Sequence, residues 1–387
     1  MTHNAPAVVK VRGPDDASKS DHESSLQNQL QVIPRETKYL CIDENTPSDP
    51  EWALLSAHFS GVEDLEMNSG FDEELNDKNL PLHWPLQRLT LSSACAELVQ
   101  SPFIRQGRVP HLSLFFTCGL RFEGPTSDAL YREHRAAVDR GDKKAEYLTV
   151  REGTPDEKKI EITFLPGLVA EHMNQLYAGP EKKVDPENEC PSGPINLKTL
   201  EIWENDAIDT FCRMTIALPH IVDNLQTLRI RSTSGLDFHY LDETPFRDIL
   251  PQLEHLETLN LSVGEIFKDP AYLPTLYKIF PPNVKSLYFR GPVTLCQSEQ
   301  WREWLDAFES GDFLPKLEHL AFVLDLHYEH KEASDQKKES KAPEELLQHA
   351  HEACEKLYEI ARRRGISIVS MPAEPESNLL RPVDDRW

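Results

Sequence analysis

The stretch "LETLNL", Leu256–Leu261, decides the fold, because the chain repeats it with substitutions. The frame returns as "LKTLEI" from Leu197, "LQTLRI" from Leu225, "VKSLYF" from Val284 and "LEHLAF" from Leu317. Upstream, "VEDLEM" from Val62, "LQRLTL" from Leu86, "VPHLSL" from Val109 and "AEYLTV" from Ala145 keep it, and "TKYLCI" from Thr37 is a weaker opening copy. Most copies are 23 to 33 residues apart, while the steps from Val109 to Ala145 and from Ala145 to Leu197 are 36 and 52 residues and require insertions. Self-similarity at this period is the mark of a repeat architecture.

Each copy ends in a short alternating segment, which reads as a strand with its leucines inward. Helical patterns separate the copies. In "SDPEWALLSAHF", Ser48 stands three residues before Glu51, the spacing of a capping box. Thr244-Pro245 and Asp269-Pro270 each put a capping side chain before a proline suited to the first helical position. "QSEQWREWLDAF" and "APEELLQHAHEACEKLYEIARRR" are further amphipathic helices. A single strand–helix unit cannot bury its apolar stripe, so neighbouring units must stack into one interior.

The pattern resembles leucine-rich repeat proteins of the ribonuclease-inhibitor-like type, and it is similar to the repeat arrays behind the F-box of fungal proteins. The resemblance covers roughly residues 37 to 370 and implies an α/β fold: a curved solenoid with short parallel strands on the concave face and helices on the convex face. Two features depart from the family. Its turn asparagine stands only at Asn45 and Asn205, and no F-box pattern precedes Val32.

The totals narrow the function. Among 387 residues, 41 Lys and Arg face 65 Asp and Glu, a formal charge of −24. Such a surface repels phosphate backbones and anionic lipid, so neither nucleic acid nor a membrane is the expected partner. The seven cysteines form no C-x-x-C pair, which fits free thiols in a reducing, intracellular setting, cytoplasmic or nuclear. No signal-peptide pattern opens the chain, and no apolar run is long enough to span a bilayer. No phosphate-binding glycine motif occurs, and no cofactor or metal is expected.

Composition places the boundaries. Residues 1–30 read as a disordered tail, 31–177 as N-terminal repeats with an insertion, and 178–195 as an exposed loop rich in Pro, Glu, Lys and Gly. Residues 196–371 read as C-terminal repeats closed by a capping helix and strand, and 372–387 as a mobile tail.

Alternation also picks out the side chains opposite the leucines. In the C-terminal half these include Trp203, Arg229, Arg231, Tyr288 and Arg290, residue types enriched at binding hot spots. The arginines form a basic strip suited to acidic or phosphorylated side chains, with Glu201 and Asp237 as local competitors for them. The N-terminal copies offer a more acidic set, including Asp43, Asp64 and Glu66. Two histidine groupings carry residue types that could serve chemistry. Asp325, His327, Glu329 and His330 match no metal motif, and Cys354 lies three residues after His351 without an identifiable orienting group. The aromatic pairs Trp301/Trp304 and Tyr272/Phe280 read as core packing.

The expectation is a non-enzymatic scaffold that binds a protein partner through its concave strands. One alternative is an F-box-like substrate receptor of a ubiquitin ligase with a divergent or missing F-box. The other is a hydrolase that uses the 145–195 insertion and the His-rich stretch 319–330.

Overall fold

The computed structural model describes residues 6–13, 19–68, 79–92, 103, 109–115, 149–152, 160–163, 196–204, 207–217, 219–232, 244–264, 272–324 and 344–373. Every clean copy of the leucine frame forms a strand. With three strands outside the frame, the strands in chain order are β1 (Ala7–Lys10), β2 (Tyr39–Asp43), β3 (Asp64–Met67), β4 (Arg88–Ser92), β5 (His111–Phe115), β6 (Thr149–Glu152), β7 (Ile160–Thr163), β8 (Thr199–Trp203), β9 (Thr227–Ser232), β10 (Thr258–Val263), β11 (Ser286–Gly291), β12 (His319–Leu324) and β13 (Ser367–Ile368). Eleven of them make one open parallel sheet in sequence order, with β5 passing directly to β8. Parallel neighbours require a crossover after each strand. The described helices are α1 (Lys19–Leu30), α2 (Asp49–His58), α3 (Ala207–Ala217), α4 (Thr244–Ile249), α5 (Tyr272–Thr275), α6 (Trp301–Glu309) and α7 (Glu344–Arg363).

The repeated leucine is the register. Leu40, Leu65, Leu89, Leu112, Leu200, Leu228, Leu259, Leu287 and Leu320 are partners across successive strands. Each is at most 1% exposed. All belong to one continuous apolar core that runs from Val9 to Ile366. Toward its C-terminal end the core becomes aromatic. Trp304 is fully buried among Tyr277, Phe280, Phe289 and Phe322, with ring centroids 5.2 to 5.8 Å away. Its indole N–H donates to Pro274 O at 2.6 Å, which satisfies its one polar atom.

The start of the chain differs from the disordered tail expected of residues 1–30. Lys10 and its neighbours pair with β2, Val9 and Val11 are fully buried, and α1 packs Leu26 and Leu30 into the same core. The apolar content of this stretch is small, but it is placed where the sheet needs an outer strand. A second correction concerns "AEYLTV". Its strand β6 pairs antiparallel with β7 in a separate two-stranded sheet and adds no rung to the parallel array. The alternating "KKIEITF" that follows supplies a local antiparallel partner, and local pairing wins over the repeat frame. The expected loop at 178–195 and nearly all of the tail at 372–387 lie outside the described residues.

Near each end of the sheet a side chain imitates part of a strand. At the first edge the Gln29 carboxamide accepts from Lys10 N at 2.9 Å and donates to Lys10 O at 3.0 Å. At the other, β13 covers only Leu320 and His319 of β12. There the Tyr358 hydroxyl donates to Phe322 O at 2.6 Å and accepts from Phe322 N at 3.0 Å. Unpaired edges recruit other strands, and these contacts occupy the edge groups of Lys10 and Phe322.

The C-terminal helix is stopped by Gly365, whose φ of +79° suits glycine. Ile366 N bonds Ala361 O and Gly365 N bonds Arg362 O, the pairing of a Schellman turn. Beside it, Arg364 donates to the carbonyls of Phe308, Phe313 and Leu314 at 2.8, 2.9 and 3.2 Å. These bonds hold the turn after α6, where Leu314 has a φ of +44°. Arg364→Ala is expected to cost about 1.5–3 kcal/mol, as for hydrogen bonds from a charged donor, read by urea denaturation. A shift in midpoint below a few tenths of a kcal/mol would show that water replaces the guanidinium.

Candidate functional site

Side chains alternate across a strand, so the residues between the inward leucines share the outer face of the sheet. They line up in transverse rows. The middle row contains Glu66, Thr90, Ser113, Glu201, Arg229, Asn260 and Tyr288 on successive strands. The row at the C-terminal ends of the strands contains Phe115, Trp203, Arg231, Ser262, Arg290 and Val323.

The five expected contact residues divide between these two rows. Arg229 and Tyr288 lie in the middle row, flank Asn260 and are half-buried. Trp203, Arg231 and Arg290 lie in the end row and are buried, with 4%, 3% and 7% exposure. Strand alternation had placed all five on the right face. It could not show that one row of that face is covered, so Arg231 and Arg290 do not join Arg229 in a basic strip open to solvent.

Arg229 already has a partner. Its Nη1 donates to Glu201 Oε1 at 2.6 Å, and Ser113 Oγ donates to Glu201 Oε2 at 2.8 Å. One carboxylate thus ties β5, β8 and β9 together, with its own side chain only 14% exposed. Charge-assisted bonds of this length are the strong kind. Of the two local competitors named from sequence, Glu201 is engaged and Asp237 lies outside the described residues.

The N-terminal part of the face is more acidic. Tyr39 donates its hydroxyl to Glu66 at 2.7 Å, and burial followed by this bond pushes the phenol above its ordinary range. Arg88 lies 3.6 Å from Asp64. His111 is held below the usual imidazole value by burial and then by Arg88, so it is neutral at pH 7. The face therefore passes from acidic groups on β3 to a bridged Glu–Arg pair on β8 and β9, and then to the uncharged Asn260 and Tyr288.

Along the N-terminal ends of β8 to β12 runs a polar groove of about 840 Å³, with Asn196, Lys198, Gln226, Glu257, Lys285 and Lys316 among its walls. Sequence reasoning missed it, although its signal was there. Asn196, Asn224, His255, Asn283 and Lys316 each stand just before the first apolar residue of a copy. Asn283 shows one use of that place, since its Nδ2 donates to Glu254 O of the preceding coil at 2.7 Å.

Most of the candidate catalytic groups fall outside the described residues. Asp325, His327, Glu329 and His330 lie outside the described residues. One histidine that approaches a cysteine is His349, whose Nδ1 is 3.7 Å from Cys296 Sγ. Burial pushes that thiol up to about 11, and it donates to Val293 O at 2.9 Å. A thiol held neutral is a weak nucleophile. Cys354 is buried on α7, as the packing reading expected. Among the described residues no three His, Cys, Asp or Glu side chains gather as a metal site, and no helix is long and apolar enough to cross a membrane.

No protein-family model matches the sequence, and a search of characterised proteins finds no match.

Proposed function

We propose that the chain is a leucine-rich-repeat-like curved solenoid that serves as a non-enzymatic scaffold, holding a protein partner against the outer, concave face of its sheet. The observation that carries this reading is the in-register middle row, half-buried at Arg229 and Tyr288 and continuous across both halves of the chain. Such rows present many side chains to one extended ligand. The partly occupied edges favour recognition by the face over strand addition. Arg229 is the half-exposed guanidinium for acidic or phosphorylated groups, and Tyr288 supplies rigid aromatic area. The four cysteines among the described residues are buried and free, which suits an intracellular setting, cytoplasmic or nuclear.

The test is affinity capture from native extract with wild type and with the double variant Arg229→Gln, Tyr288→Asp. Glutamine keeps a donor for Glu201, so the fold should hold. The polypeptides most enriched by wild type should drop at least tenfold, with the melting temperature unchanged within a degree or two. An unchanged capture profile counts against the face. Arg231 is unsuitable for this test because it is buried, and its removal would be expected to lower stability as well.

A further inference from the structure

We infer that the groove along the strand N-termini is a second interaction surface, fitted to an extended acidic peptide segment. It goes beyond the face reading, because it uses a different side of the sheet.

Three lysines and two glutamates line the groove, 3 − 2 = +1, on a chain whose total is −24. Within it Lys285 is paired with Glu257 at 2.8 Å. Lys198 and Lys316 enter no ion pair among the described residues, and both are exposed. At physiological salt the Debye length is about 8 Å, so distant carboxylates are screened and these local cations set the potential a ligand meets.

Length selects the ligand. Lys198 precedes β8 and Lys316 precedes β12, four strand steps apart. At about 4.8 Å per step this is ~19 Å, and an extended chain covers that distance in about six residues at ~3.3 Å each. Asn196 beside Lys198 and Gln226 on the next coil present carboxamides, which offer both a donor and an acceptor to a peptide backbone. The site therefore suits a segment with carboxylates about six residues apart and uncharged residues between them. Its middle, near Glu257, disfavours a third acidic group.

The experiment uses the full chain and a fluorescein-labelled Gly/Ser nonapeptide with Glu at its second and eighth positions, read by anisotropy. The expected result is saturable binding that weakens as salt rises and is absent for the isomeric probe with Lys at those positions. Lys198→Glu with Lys316→Glu should weaken binding at least tenfold. Lys356→Glu, an exposed change on α7, and the Arg229/Tyr288 variant should leave it intact. Equal binding of both probes, no binding, or indifference to the double charge reversal would overturn the inference. Loss of binding in the Arg229/Tyr288 variant would instead move the peptide to the outer face.

Discussion

Leu259→Asp is expected to abolish cooperative folding, whereas Thr258→Asp one residue earlier leaves a folded protein. Leu259 is fully buried and stacks between Leu228 and Leu287 in the continuous row of leucines. An ionised carboxylate there has no partner, and burying it costs far more than the marginal stability of a domain unless it takes up a proton. Even Leu259→Ala should cost about 2–5 kcal/mol, because stacked coils cannot collapse around the cavity. Thr258 points to the other face and is half-buried, so aspartate there stays hydrated. Far-UV circular dichroism and urea titration of the three variants check this phase. If Leu259→Asp unfolded in a single transition close to that of wild type, the shared interior would be refuted.

This phase was legible because strand alternation and stacking impose the same demand on every copy. Leu200, Leu228, Leu259, Leu287 and Leu320 each had to be apolar, and five independent copies of one constraint make a strong signal. The capping box at Ser48 and Glu51 was legible for a similar reason, since it depends on local spacing alone. The first strand was not. "AVVK" is four residues long, and α1 is polar apart from Leu26 and Leu30. Its stability comes from contacts with residues 19 to 39 positions away, which composition does not record. The frame at Ala145 failed in the opposite way, for its pattern fits a parallel rung and an antiparallel hairpin equally well.

The site shows the same division. Alternation tells which face a side chain takes, and it put Arg229, Arg231 and Arg290 together correctly. Coverage is a tertiary property, and it separates the half-exposed Arg229 from Arg231 and Arg290. The Glu201 bridge was foreseeable from register, because Glu201 and Arg229 occupy the same place in successive copies. The groove needed a different alignment, one that compares the residue before each copy instead of those within it.

Glu51→Ala should detach the first strand and cost about 3 kcal/mol or more. This carboxylate is 2% exposed and ties residues 12–13 to the N-terminus of α2. Oε1 accepts from Arg12 N at 3.0 Å, while Oε2 accepts from Gly13 N at 3.3 Å, Ser48 N at 2.9 Å and Ser48 Oγ at 2.8 Å. Gly13 reaches this position with a φ of +77°, where an added Cβ would lie 3.1 Å from Asn45 and Thr46. Alanine leaves these donors buried without an acceptor, and each bond to a charged group is worth about 1.5–3 kcal/mol. Glu51→Gln keeps one oxygen and should recover part of the loss. Hydrogen exchange locates the effect: the Val9 and Val11 amides, paired to β2 in wild type, should exchange much faster in Glu51→Ala, while Leu259 and Leu287 stay protected at first. Once β1 leaves, β2 becomes the open edge with Leu40 and Ile42 partly uncovered, so the variant should also self-associate as concentration rises. A monomeric Glu51→Ala protein with unchanged Val9 exchange would mean that packing of Val9, Val11, Leu26 and Leu30 alone secures the end of the sheet.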